Sequence, residues 1–315
     1  MSEKDGFLSG LHRQLESASE FIADSFMISA YDIYHAYLPP PDKLTKFPEM
    51  LFLDSGGYEI SDYTDLSDTE EPEPKPPPWD VHLLTGVLDA WPDQLATVMV
   101  SYDHPKQRTA FATQIEAARE LFRKRAHLKT FLLKPETADQ RTLKLTLKTA
   151  LANIEEFRYF DIIGVTEREI GSSTSERMLN IAKLRLALDE AGMRKIPLHI
   201  FGALDPLSSA LYFMAGAEIF DGLTWLRYAY VDSRCIYTHN HGPVAFGLEA
   251  RDDLVRARTQ ANNLQDLNRI QNMLREFKHT QDFAKLTKLG GWPGAAKFFK
   301  DAHDTLNTQL DGRAE

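Results

Sequence analysis

Three aspartates stand at the ends of short apolar runs. Asp54 follows Met50–Leu53 and opens Asp54-Ser55-Gly56-Gly57-Tyr58. Asp103 lies in Tyr102-Asp103-His104-Pro105, behind Thr97–Ser101. Asp221 opens Asp221-Gly222, behind Glu218–Phe220. A single aspartate in such a place commonly caps a helix or shapes a turn. Three in equivalent positions point to an acidic pocket, where neighbouring carboxylates repel, shift one another's pKa values and divide acid from base work. Lys134-Pro135-Glu136 follows Thr130–Leu133. Two lone glycines, Gly164 and Gly202, follow Phe160–Ile163 and Leu198–Phe201, and would leave backbone open to a ligand.

With Phe26–Ser29 these runs make seven strand candidates, rich in β-branched and aromatic residues. Between them, 108–125, 142–156, 175–191 and 206–215 carry apolar residues at helical spacing. Alternating strands and helices predict parallel strands with helical crossovers. With an eighth candidate near 235–246, the count fits a closed (β/α)8 TIM-type barrel better than its rival, an open sheet. Barrel enzymes collect catalytic groups at the C-terminal strand ends. The barrel is expected over residues 1–250, with a helical extension packed on it over 251–315. Gly290-Gly291-Trp292-Pro293 interrupts that extension before a last helix at 295–306. The acidic, proline-rich segment 61–78 reads as an exposed loop, either an inert insertion or a mobile lid over the site.

The chain has 315 residues, of which 43% are apolar and 26% charged, an ordinary balance for a globular protein. Half of its formal charge of −10 lies in 61–78, where six acidic residues face Lys75 alone. Such a chain has no general attraction for a phosphate backbone. No apolar run approaches the roughly 18 residues of a membrane span. The polar start, with Glu3 and Asp5, is unlike a secretory signal. Cys235 is the only cysteine, so the chain forms no internal disulfide and holds no multi-cysteine zinc site, and a reducing cytoplasm is the expected compartment.

Asp54-Ser55-Gly56-Gly57-Tyr58-Glu59 resembles the D-S-G-G-F-Q signature of the tRNA-guanine transglycosylases. Gly216-Ala217-Glu218-Ile219-Phe220-Asp221-Gly222, with Arg227 beyond, is similar to that family's G-x-D-M-F-D-C-x-x-P-T-R. Phe201-Gly202-Ala203-Leu204-Asp205-Pro206 resembles its M-G-V-G-T-P turn, and residues 162–169 its I-G-G-L-A-V-G-E. Asn262-Asn263-Leu264 stands where the family has His-Asn-Leu. The segments keep the family's order.

The resemblance implies a barrel enzyme that exchanges a base. Asp221 would attack the sugar C1′ as nucleophile, and Asp54 would handle the proton on the base. Asp103, together with Ser55 of the D-S-G-G segment, would hold the base edge. Tyr58 and Phe201 would sandwich the flat ring, Gly164 and Gly202 would present backbone to it, and Glu169 would support the base-binding peptide. Lys134 replaces the glutamine that reads the base, and Trp225-Leu226-Arg227 replaces Pro-Thr-Arg. Of the zinc ligands, three cysteines and a histidine, the chain keeps only Cys235, and Asn262 takes the histidine's place. No zinc or other cofactor is therefore expected.

The substrate so implied is guanine or a 7-deazaguanine on a nucleic acid or a modified protein. Some divergent members of the family modify DNA. Others sit in anti-phage operons of the type IV CBASS kind, beside a deazaguanine-synthesis-like partner, and this short acidic chain resembles that group. A homodimer is a further expectation, and a membrane is not. The alternatives are a binding module that keeps the base pocket without turnover, and an unrelated barrel hydrolase. His239-Asn240-His241 reads as a hydrogen-bonded loop rather than a metal site, Trp292 as a packing anchor, and Arg123-Lys124-Arg125 as a solvated helix end.

Overall fold

The structure, a computed structural model, describes residues 24–41, 49–60, 77–104, 107–136, 144–286 and 291–312. The acidic segment 61–78, except its last two residues, lies outside them, as do Met1–Gly6 and Gly290. The chain divides into two compact units, Met1–Gly164 and Val165–Glu315, within an α/β fold whose parallel strands follow one another in chain order, β1 to β7.

The first unit contains β1 (Ser25–Ser29), α1 (Ala30–Tyr34), β2 (Met50–Asp54), α2 (Val81–Asp89), β3 (Thr97–Val100), α3 (Phe111–Phe122), β4 (Leu128–Leu133) and α4 (Leu147–Ala152). A 3-10 turn, Ile154–Tyr159, leads to β5 (Ile162–Thr166), which starts in this unit. β1, β2, β3 and β4 pair in sequence and in parallel, with Ser29 level with Asp54. All four residues of β3 are buried, so this strand is covered on both faces. Phe131 of β4 stacks on Phe160 at 4.8 Å and meets Phe111 of α3 edge-on at 5.9 Å. Both Phe111 and Phe131 are 1% exposed. Burying a ring of this size contributes about 1.5–3 kcal/mol, which pins α3 against β4.

The second unit contains α5 (Glu167–Ile170), α6 (Thr174–Glu190), β6 (Leu198–Phe201), α7 (Pro206–Met214), β7 (Ile219–Phe220), α8 (Thr224–Arg227), β8 (Tyr228–Val231), β9 (Arg234–Tyr237), α9 (Thr238–Phe246), α10 (Asp252–Thr280) and α11 (Ala295–Asp311). β6 and β7 are parallel, with His199 level with Ile219. Asp205 caps α7, accepting from the Leu207 and Ser208 amides at 3.1 and 2.9 Å, and Pro206 takes the first helical position. The 29-residue α10 and the final α11 belong to this unit. Among the described residues no helix is long and apolar enough to cross a membrane.

Two expectations need correction. The eighth strand near 235–246 does not continue the parallel order. Arg234–Tyr237 pairs antiparallel with Tyr228–Val231 in a separate two-stranded sheet. Asp232 and Ser233 take φ of +50° and +57°, the double left-handed turn that suits a tight hairpin. The chain then coils into α9, which contains Pro243, a residue without the N–H that a central strand needs. The second correction is to β5, which begins two residues later than expected. Gly164 is therefore buried inside the strand, between Ile163 and Val165, rather than open at its end.

Candidate functional site

In the first unit the turn after β2 closes around Asp103. Asp54 ends the strand, and its Oδ2 accepts the Gly56 amide at 3.1 Å. Gly56 has φ +81°, and a Cβ there would stand 2.6 Å from Trp79 Nε1 and 2.9 Å from Tyr31 Cβ. Both the backbone conformation and the space call for glycine. The Trp79 indole donates to the Ser55 carbonyl at 2.8 Å and fixes the turn. At Gly57 a Cβ would lie 2.4 Å from Asp103 Oδ1, so the second glycine lets the backbone lie against that carboxylate.

Asp103 is held on both oxygens. The fully buried Ser55 donates its hydroxyl to Oδ1 at 2.9 Å, and Lys134 Nζ lies 3.2 Å from Oδ2. Lys134 is itself anchored through its main chain. Gln114 of α3 accepts from the Lys134 amide at 3.2 Å and donates to its carbonyl at 3.1 Å. Burial pushes the Asp103 carboxyl up. The Lys134 ammonium, the hydrogen bonds from Ser55 and Lys134, and the Arg108 charge outweigh it, and the pKa falls below the ordinary carboxylate value. Asp103 is thus an anion in a nearly dry place. A carboxylate has about four lone-pair sites, so it can accept from a ligand while keeping both partners.

Two further carboxyls belong to this cluster, and the sequence reading passed over both. Burial, followed by the charge of Asp54, pushes Asp32 up to about 6. Burial pushes Glu59 up to about 7, against a hydrogen bond with Ser29 and with help from Asp32 and Asp103. Glu59 Oε2 is buried and has no hydrogen-bond partner among the described residues. Groups shifted to opposite sides of the carboxylate range can divide proton donation from acceptance. Asp32 lies three residues past the end of β1, so extending the strand-end argument to the first strand reaches it. Tyr58, next to Glu59, is 48% exposed and can present its ring to a ligand.

In the second unit Asp221 follows β7 directly. His199 Nε2 lies 3.0 Å from Asp221 Oδ1, and the Gly202 amide donates to the same oxygen at 3.3 Å. Gly202 has φ +79° and open space where a side chain would be. Phe201 is 8% exposed, its ring stacked on His199 at 3.9 Å. One face of the Phe201 ring is thus already taken. Glu169 is half-buried in α5. Two residues before it, Glu167 accepts from the Tyr212 hydroxyl at 2.7 Å and pairs with Arg177 at 3.2 Å. Arg227 ends α8, and its carbonyl accepts from the Thr238 hydroxyl at 3.1 Å.

The two positions that the resemblance would compare with zinc ligands are Cys235 and Asn262. Cys235 and Asn262 are both exposed, and no group of three metal-ligating side chains exists among the described residues. The neighbouring Asn263 is 1% exposed. It accepts from the Tyr230 amide at 2.8 Å and donates to the Trp225 and Tyr228 carbonyls at 2.7 and 2.6 Å. One amide side chain therefore ties 225–230 to α10. His239 and His241 lie on a helix rather than a loop. Residues two apart on a helix do not face each other, and these two contact Tyr237 and Phe246 respectively. Trp292 packs on Phe298 and Phe299, as an anchor does. Arg123 is solvated, whereas Arg125 is mostly covered and binds Asp89 at 2.5 Å.

No protein-family model matches the chain, and no curated protein matches it.

Proposed function

We propose that this protein is a transglycosylase-like enzyme that binds guanine or a 7-deazaguanine and cleaves or exchanges its link to a nucleic acid or protein. The observation that carries this reading is the ionised Asp103, nearly enclosed by the Asp54–Gly57 turn and flanked by Lys134. The Watson–Crick edge of such a base offers adjacent N–H donors beside a carbonyl. A fixed carboxylate accepts the donors in charge-assisted bonds, and an ammonium beside it donates to the carbonyl.

In the exchange, a carboxylate oxygen of Asp221 attacks C1′. The C1′–N bond breaks and its electron pair leaves with the base, which takes a proton from solvent. The incoming base gives up a proton to solvent as it attacks C1′, and the Asp221 carboxylate departs. The seven parallel strands in chain order are consistent with a TIM-like fold, although among the described residues β7 does not pair with β1 to close a barrel. A cytoplasmic setting, a homodimer, a deazaguanine-synthesis-like partner and a role in anti-phage defence belong to the same reading.

Calorimetry with guanine and 7-deazaguanine bases tests the binding half. Asp103→Ala should weaken binding by about 1.5–3 kcal/mol, the range for hydrogen bonds to a charged group. Equal affinity in wild type and variant would remove the base from this site.

A further inference from the structure

Asp221 holds its two oxygens in different states. Oδ1 has two neighbours in hydrogen-bond range, His199 Nε2 at 3.0 Å and the Gly202 amide at 3.3 Å. Oδ2 receives no hydrogen bond among the described residues, and 24% of the side chain is exposed. The neighbours of Oδ1 are set by the fold. His199 is level with Ile219 across parallel strands, so His199 and Asp221, two residues beyond Ile219, project to the same face. The imidazole is 1% exposed and stacked on Phe201 at an interplanar angle of 24°, which fixes its rotation. The left-handed turn at Gly202 aims its N–H at the carboxylate. A Cβ on Gly222 would stand 3.0 Å from the Leu204 amide nitrogen, so the next residue keeps the chain close.

We propose that His199 is a positioning residue that anchors Asp221 Oδ1 through a donated Nε2–H bond and leaves Oδ2 as the attacking oxygen. This rests on the reading of Asp221 as nucleophile. When Oδ2 forms its bond to C1′, Oδ1 becomes the carbonyl oxygen of the ester and keeps both donors. When the entering base attacks C1′, the C1′–Oδ2 electron pair returns to the carboxylate, and the same donors stabilise the charge that develops on it. Donors aimed at a developing charge act on kcat rather than on base affinity.

The test uses two amides of different reach on the full chain. In His199→Gln the amide nitrogen extends to the position of Nε2. In His199→Asn it stops one methylene short. With base exchange as the assay, His199→Asn should lose about a hundredfold in kcat, the scale of one lost donor of this kind. Its KM for the base should stay within about twofold, as uniform binding is untouched. His199→Gln should recover most of the rate. A wild type that exchanges base while the two variants turn over equally well would overturn the role of His199 and leave the nucleophile reading standing. A wild type that exchanges nothing would overturn both. Nitrogen NMR of the imidazole gives a readout that needs no turnover: the proton should sit on Nε2, and a bare Nε2 facing Asp221 would overturn the donor assignment.

Discussion

Lys134 and Asp103 form a nearly enclosed ion pair, 3.2 Å apart with 11% and 12% of their side chains exposed. Removing one partner of such a pair leaves a poorly hydrated charge without its nearest counter-ion. Lys134→Met should therefore cost about 3–5 kcal/mol in urea unfolding. Adding Asp103→Asn should recover much of the loss, because the orphaned charge is gone. Additive losses in the double variant would show that the two side chains are not coupled.

The carboxyls give pH effects of opposite sign. Asp32 and Glu59 bind protons more tightly folded than unfolded, rising from 3.8 to about 6 and from 4.5 to about 7. Their contribution is full below the unfolded values and is lost as the pH climbs through the folded ones. Asp103 is depressed, so its contribution is present above 3.8 and is lost as the pH falls. Stability should thus decline between about pH 4 and 7 through Asp32 and Glu59. Glu59→Gln should flatten that decline. Melting curves across the range check it, and an unchanged slope in Glu59→Gln would count against the shift.

The two glycines of the turn make a paired test. Gly57→Ala forces a Cβ to within 2.4 Å of Asp103 Oδ1, so either the carboxylate or the turn must move. Gly56→Ala meets Trp79 and adopts a strained φ. Gly57→Ala should reduce base affinity more than thermal stability. Gly56→Ala should do the reverse, because its clash is with the aromatic support. Calorimetry and melting temperature on both variants separate the effects.

Asn263 should be among the most sensitive polar positions in the second unit. Asn263→Leu keeps the size but leaves two carbonyls and one amide without a protein partner. At about 1–3 kcal/mol for each buried group left unsatisfied, the loss should exceed that of Asn262→Leu by several kcal/mol. Equal losses would mean that the 225–230 segment is held by other contacts.

Much of this architecture was legible in the sequence, because parallel strands covered on both faces appear as continuous apolar runs. β2 and β6 begin where their runs predict, Asp54 ends β2, and Asp103 and Asp221 lie beyond β3 and β7. The failures have local causes. The candidate at 235–246 reads as one strand, but the turn at Asp232-Ser233 folds its start back on Tyr228–Val231, and residues 238–246 are helical. Phe160 belongs by composition to β5, but its ring leaves the strand line to stack on Phe131. Asp32 and Glu59 gain their character from burial, which no spacing reveals. His199 sits in an apolar run where a histidine passes for a core residue, and only the register with β7 brings it to Asp221.

The most direct measurement follows an isotope-labelled base offered to wild type and Asp221→Asn, together with deazaguanine-modified tRNA, DNA and protein. Asparagine keeps the size of the side chain but loses the charge needed to attack C1′. The account predicts exchange or release by the wild type on at least one carrier. It predicts loss of several orders of magnitude in the variant, with base affinity through Asp103 retained. Undiminished exchange by Asp221→Asn would contradict the nucleophile, and an inactive wild type that still binds the base would identify a binding module instead.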